Sequence, residues 1–65
     1  MYPVDERILE HLEDESWASP TTMAREREFQ QLDLDSGYIQ QRCNCLIERE
    51  LICPISPNST MYEIT

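Results

Sequence analysis

The sequence predicts a mainly α-helical α+β fold, three helices followed by a C-terminal two-stranded hairpin. Three observations carry that prediction. Apolar residues recur at helical spacing as far as Glu50 and at two-residue spacing beyond it. Cap-forming pairs, Ser19-Pro20 and Asp35-Ser36, stand where helical stretches begin. Pro57-Asn58-Ser59-Thr60 supplies turn chemistry between two β-prone runs.

The first helix is expected over residues 3–14. Pro3 suits an opening turn, and Asp5 and Glu6 favour the positive end of the helix dipole. Val4, Ile8, Leu9 and Leu12 form one apolar stripe, with Glu6, Arg7, Glu10 and Glu13 opposite as a solvated face. The acidic run Glu13-Asp14-Glu15 is unfavourable at a helix C-terminus, so the helix should stop there. A connector follows, in which Trp17 reads as a core or edge aromatic.

Ser19 as cap and Pro20 as first helical residue open the second helix, expected over residues 20–32. Met23, Ala24, Arg27, Phe29 and Leu32 carry it through the helix-favouring stretch REREFQQL. Asp33-Leu34-Asp35-Ser36-Gly37 breaks it and starts the third helix, residues 36–50, with Asp35 or Ser36 as cap. In that helix Ile39, Cys43, Leu46, Ile47 and Glu50 share one side, Gln40 and Arg42 flank the stripe, and Ser36, Tyr38, Gln41, Asn44, Cys45 and Glu48 point elsewhere. Leu51–Ser56 and Met61–Thr65 then form the hairpin, with Pro54 restricted to an edge position for lack of an N–H.

Sixty-five residues at 40% hydrophobic content are expected to form one domain, residues 1–65, of modest stability. No apolar run is long enough to span a bilayer and no basic leader precedes one, so a soluble, cytoplasmic protein without membrane partners is expected. The charge is unusual: thirteen acidic residues face five basic ones for a net charge of -8, every basic residue is Arg, and Lys is absent. Acidic residues scattered through every segment suggest a proteome adapted to molar salt, where a Debye length of about 3 Å stops them repelling one another or DNA over long range. An acidic mesophilic domain is the plainer alternative.

Cys43, Cys45 and Cys53 are odd in number and follow no secretory signal, which argues against a disulfide framework. With His11 they could supply four zinc ligands, yet on a helix Cys43 and Cys45 lie about 200° apart and cannot share a metal. Cys43 reads as a small core residue and Cys45 as a free surface thiol; no metal and no cofactor are expected.

Three helices followed by a hairpin is the order of a winged helix-turn-helix, and here the resemblance becomes specific. YIQQRCNCLIERELI resembles the third helix and first wing strand of that family, where an apolar residue, another four on, a Leu three later and a Gly-Leu-Ile ending recur. Ile39, Cys43, Leu46 and Leu51-Ile52 stand at those positions. PVDERILEHL and MYEIT resemble the flanks of small winged-helix transcriptional regulators of halophilic archaea and their viruses. The match covers nearly the whole chain. Glu50 departs from the family's Gly, so a less strained or differently shaped turn is expected there. Between Met23 and Tyr38 the chain is several residues longer than the usual helix-turn-helix, which leaves the angle between those helices open. Many relatives continue into a further segment that helps dimerise, whereas this sequence stops at Thr65; a homodimer stays open as a partner.

The resemblance implies sequence-specific binding of double-stranded DNA, with the third helix entering the major groove N-terminal end first and the wing, residues 52–64, on the backbone. Ser36, Tyr38, Gln40, Gln41, Arg42 and Asn44 are the candidate contacts on that helix. Gln and Asn can bond adenine, Arg can bond guanine or phosphate, and Ser or Tyr can bond phosphate. No acidic side chain falls between Asp35 and Glu48. Thr21, Thr22, Arg25 and the wing tip Asn58-Ser59-Thr60 are candidate phosphate donors, since a basic stripe is lacking. The competing reading is an acidic winged-helix module that dimerises or docks onto proteins without binding DNA. An enzyme is not expected: the sequence offers no nucleophile–base pair, and its one glycine, Gly37, cannot make a phosphate-cradling loop.

Overall fold

The computed structural model describes residues 2–65; Met1, part of the expected 1–65 domain, lies outside the described residues. Among the described residues, four helices, α1 (Pro3–Glu15), α2 (Pro20–Ala24), α3 (Arg27–Gln31) and α4 (Ser36–Glu48), precede an antiparallel pair of strands, β1 (Ile52–Pro54) and β2 (Tyr62–Ile64). The α+β order of helices and then a hairpin is the one the sequence predicts. The third predicted helix is α4, and the second is divided into α2 and α3.

That division is a correction with a clear cause. Glu26 has ψ 146, which ends one helix and caps the next. In an unbroken helix Met23 and Phe29 would point about 120° apart, because each residue advances about 100°. Both are buried, at 0% and 1% exposure, so the chain breaks at Arg25-Glu26 and re-aims Phe29 into the core. Tertiary packing overrides the helical propensity of REREFQQL. The stretch between Met23 and Tyr38 thus holds α3 and the turn after it.

The caps follow local chemistry. Ser19 Oγ accepts from Thr22 N at 3.2 Å and Asp35 Oδ1 from Tyr38 N at 2.8 Å, so Asp35, not Ser36, caps α4. Both α3 and α4 close through paired backbone bonds around a left-handed residue. Asp33 (φ 56) sits between Asp33 N→Gln30 O and Leu34 N→Phe29 O, and Glu50 (φ 63) between Glu50 N→Ile47 O and Leu51 N→Leu46 O. Glu50 therefore adopts the conformation that a Gly would favour, which corrects the expectation of a relaxed or reshaped turn. Gly37 lies inside α4 and needs no positive φ.

The core runs between the helices and the inner face of the small sheet. Val4, Ile8 and Leu12 from α1, Ile39, Cys43 and Leu46 from α4, and Ile52 and Tyr62 from the strands close around Met23 and Phe29. Asp5, placed by sequence at the dipole end of α1, is fully buried with them. The strands pair Ile52 with Ile64, Cys53 with Glu63 and Pro54 with Tyr62. The backbone of Tyr62 turns the other way, exchanging bonds of 3.2 and 2.9 Å with Ala18. Pro54 opposite it thus loses no ladder bond, and β1 is the edge strand that Pro54 requires. Trp17 is 54% exposed beside that bridge, an edge aromatic.

Candidate nucleic-acid interface

α4 exists because one side of it is apolar. Ile39, Cys43 and Leu46 are buried completely, which turns Ser36, Tyr38, Gln41, Asn44 and Glu48 outward. Gln41, Asn44 and Glu48 project within about 60° of one another around the axis, so they form a single strip. Its first two turns carry polar neutral side chains, and its only acid, Glu48, is in the last turn.

The flanks of the strip are engaged with the protein. Gln40 is half-buried, and its Nε2 donates to Tyr62 Oη at 2.7 Å and to Asn44 Oδ1 at 3.0 Å. Arg42, a candidate for guanine or phosphate, is turned instead toward α1. Its Nε and Nη2 donate to the two carboxylate oxygens of Asp5, both at 2.9 Å, and its guanidinium lies 4.4 Å from the ring centre of Tyr2. Asp5 on the apolar side of α1 needs a charged partner to be tolerated there, and Arg42 supplies it. The bonds from Arg42 hold the Asp5 carboxyl below the usual carboxylate range against the opposing effect of burial. Reciprocally, Asp5 holds the guanidinium proton more tightly than usual. Burial, reinforced by the Asp5 charge, pushes the Cys43 thiol up to about 12, as suits a core residue.

α2 packs across α4 and leaves Thr21, Thr22 and Arg25 exposed. The Thr22 hydroxyl is 2.9 Å from Ser19 Oγ within the cap. Among the described residues, no ion pair holds Arg25, Arg27 or Arg49. In the wing, Asn58 and Thr60 are exposed, whereas Ser59 Oγ accepts from Met61 N at 2.9 Å and organises the loop. Of the residues singled out by sequence, the fold brings Ser36, Tyr38, Gln41 and Asn44 together on α4. Thr21 and Arg25 lie on or beside the helix packed against it, and Asn58 lies apart at the wing tip.

No family model and no curated protein match the chain. A solved structure is similar to it: the PhiH1 repressor-like protein from Haloarcula marismortui, at 26% identity and a TM-score of 0.85, over 100% of this chain and 68% of that one. The chain has a repressor-like fold.

Within the repressor-like fold, two residues that shape this face of α4 were not singled out from the sequence. Asp5 carried a legible signal, a charge three, four and seven residues before Ile8, Leu9 and Leu12 on the apolar side of a helix. Tyr62 gave none, because its hydroxyl meets Gln40 only once the wing is folded. No helix among the described residues is long and apolar enough to cross a membrane.

Proposed function

We propose that this chain is a small, cytoplasmic, sequence-specific DNA-binding regulator of a halophilic archaeon or its virus, working as one winged helix-turn-helix unit. The first half of α4 reads bases in the major groove through Gln41 and Asn44, with Ser36 and Tyr38 on the flanking phosphates. Thr21 and Arg25 hold the backbone beside α2, and the wing tip Asn58-Ser59-Thr60 holds it on the other side. Arg42 contributes by fixing α4 against α1 rather than by touching DNA. The observation that carries this reading is the strip on α4, free of acidic side chains through two turns in a chain of net charge -8. The likeness to a repressor-like protein from a halophilic archaeon supports it.

With few cations available, counterion release contributes little, and direct hydrogen bonds carry the affinity at molar salt. The test is fluorescence anisotropy in molar KCl with the DNA flanking the protein's own gene against a scrambled duplex of equal length. Saturable preference for the former is expected; equal or absent binding of both sinks the proposal. The second reading, an acidic protein-docking or dimerising module, is favoured by the aromatic side chains left in solvent, Trp17 at 54% and Tyr2 at 58%. It predicts self-association or protein capture with no preference between the two duplexes.

A further inference from the structure

We infer that Tyr62 is a positioning residue for Asn44: acting through the Gln40 amide, its hydroxyl fixes which edge of the Asn44 side chain faces out of α4. The inference rests on the DNA reading above and deepens it, because that edge decides which base is accepted.

Tyr62 is 7% exposed and its ring belongs to the core, so its hydroxyl needs a partner inside the protein. Gln40 Nε2 meets it at 2.7 Å. A side-chain amide nitrogen has two hydrogens, and the other goes to Asn44 Oδ1 at 3.0 Å. Both Gln40 donors are therefore used. Gln40 is half-buried and held from the wing side, so it acts as a fixed post and not as a reader. Asn44 is exposed one turn further along the helix. With its carbonyl drawn toward Gln40, Asn44 presents its amino group outward. An amino group meets the acceptors of the major groove, namely guanine O6 and N7, adenine N7 and thymine O4, and it opposes the amino donor of cytosine. At the base facing Asn44 the protein thus discriminates against cytosine, and a strand residue buried behind the helix sets that preference.

The experiment compares wild type with Tyr62→Phe, which keeps the ring in the core, and with Gln40→Met, which keeps Tyr62 intact. A duplex is first selected from a randomised library by wild-type protein in molar KCl, and each of its single-base permutations is then measured by anisotropy. Wild type should reject cytosine about tenfold or more at one position, and both variants should reduce that to within about threefold while the other positions hold. In the free protein, the side-chain amide NMR signals of Gln40 and Asn44 in Tyr62→Phe, and those of Asn44 in Gln40→Met, should move toward free-amide values. Unchanged amide signals and an unchanged base preference in either folded variant would overturn the inference and leave DNA binding standing. If wild type selects no duplex at all, the DNA reading fails, and with it the consequence for base choice. The amide signals then still decide whether Tyr62 fixes Asn44.

Discussion

Arg42 and Asp5, 37 residues apart, meet through two parallel bonds of 2.9 Å that tie α4 to α1. Asp5 is wholly buried and Arg42 keeps one edge toward solvent. Removing either partner therefore has unequal consequences. Asp5→Ala frees a guanidinium that can reach water, whereas Arg42→Met strands a carboxylate in the core. Asp5→Ala should destabilise the fold by about 3 kcal/mol in urea titration, and Arg42→Met should be worse at neutral pH.

The pH dependence of that pair has a definite sign. The folded Asp5 carboxyl is held below its unfolded value of 3.8, so its contribution is complete above that value and is lost as pH falls through the lower, folded one. Stripped of its partner in Arg42→Met, the same carboxyl should instead gain by protonation. The stability gap between wild type and Arg42→Met should narrow on acidification, first above pH 3.8 as the stranded carboxyl takes up its proton and then below it as wild type loses the pair. A gap constant from neutral to acid pH would show that Asp5 is not the buried charge at stake.

Glu50 holds φ 63 at the end of α4, a left-handed conformation that costs a side-chain-bearing residue about 1 kcal/mol. Its charge also sits at the negative end of the helix dipole. Glu50→Gly should therefore raise stability by about 1 kcal/mol, and Glu50→Gln should recover only the smaller electrostatic part. Equal stabilisation by the two substitutions would mean that the backbone conformation carries no strain.

Salt should act on the whole surface. Among the described residues, the acids outside the Asp5–Arg42 pair have one ion-pair partner, the exposed Arg7 at 3.5 Å from Glu10. The rest repel one another until the Debye length shrinks. The thermal midpoint should climb steeply between about 0.1 and 2 M KCl. A flat profile would remove the halophile reading.

Gln41→Ala and Asn44→Ala should each weaken specific DNA binding by about 1–3 kcal/mol and leave the melting curve unchanged, since both side chains are exposed. Leu46→Ala, at a site of 0% exposure, should cost about 2–5 kcal/mol of stability through the cavity it leaves. Loss of self-association with DNA affinity intact in the polar variants would assign the strip to a protein interface.

Much of this was readable because the informative contacts are local. Val4, Ile8 and Leu12, and Ile39, Cys43 and Leu46, repeat at helical spacing, and Ser19 and Asp35 sit where their side chains can reach nearby N–H groups. The exposed strip of α4 follows from the buried one by elimination. What stayed hidden depends on residues distant in sequence. Nothing near Glu26 announces a helix break, which is forced by Phe29 having to reach a core built by α1 and α4. That Arg42 and Gln40 bond within the protein was not readable, because a flanking position on a helix does not reveal that Asp5 or Tyr62 waits on the other side.

The bridge between Ala18 and Tyr62 joins the connector after α1 to the last strand, and each of the two backbone N–H groups is held by the other residue's carbonyl. Tyr62 also closes the core with its ring and anchors Gln40 with its hydroxyl. A transient detachment of β2 thus undoes three layers of the molecule in one event, and the two amides should exchange with deuterium at a common rate, as parts of one cooperative unit. Breathing of the wing, however brief, becomes audible on the far face of α4.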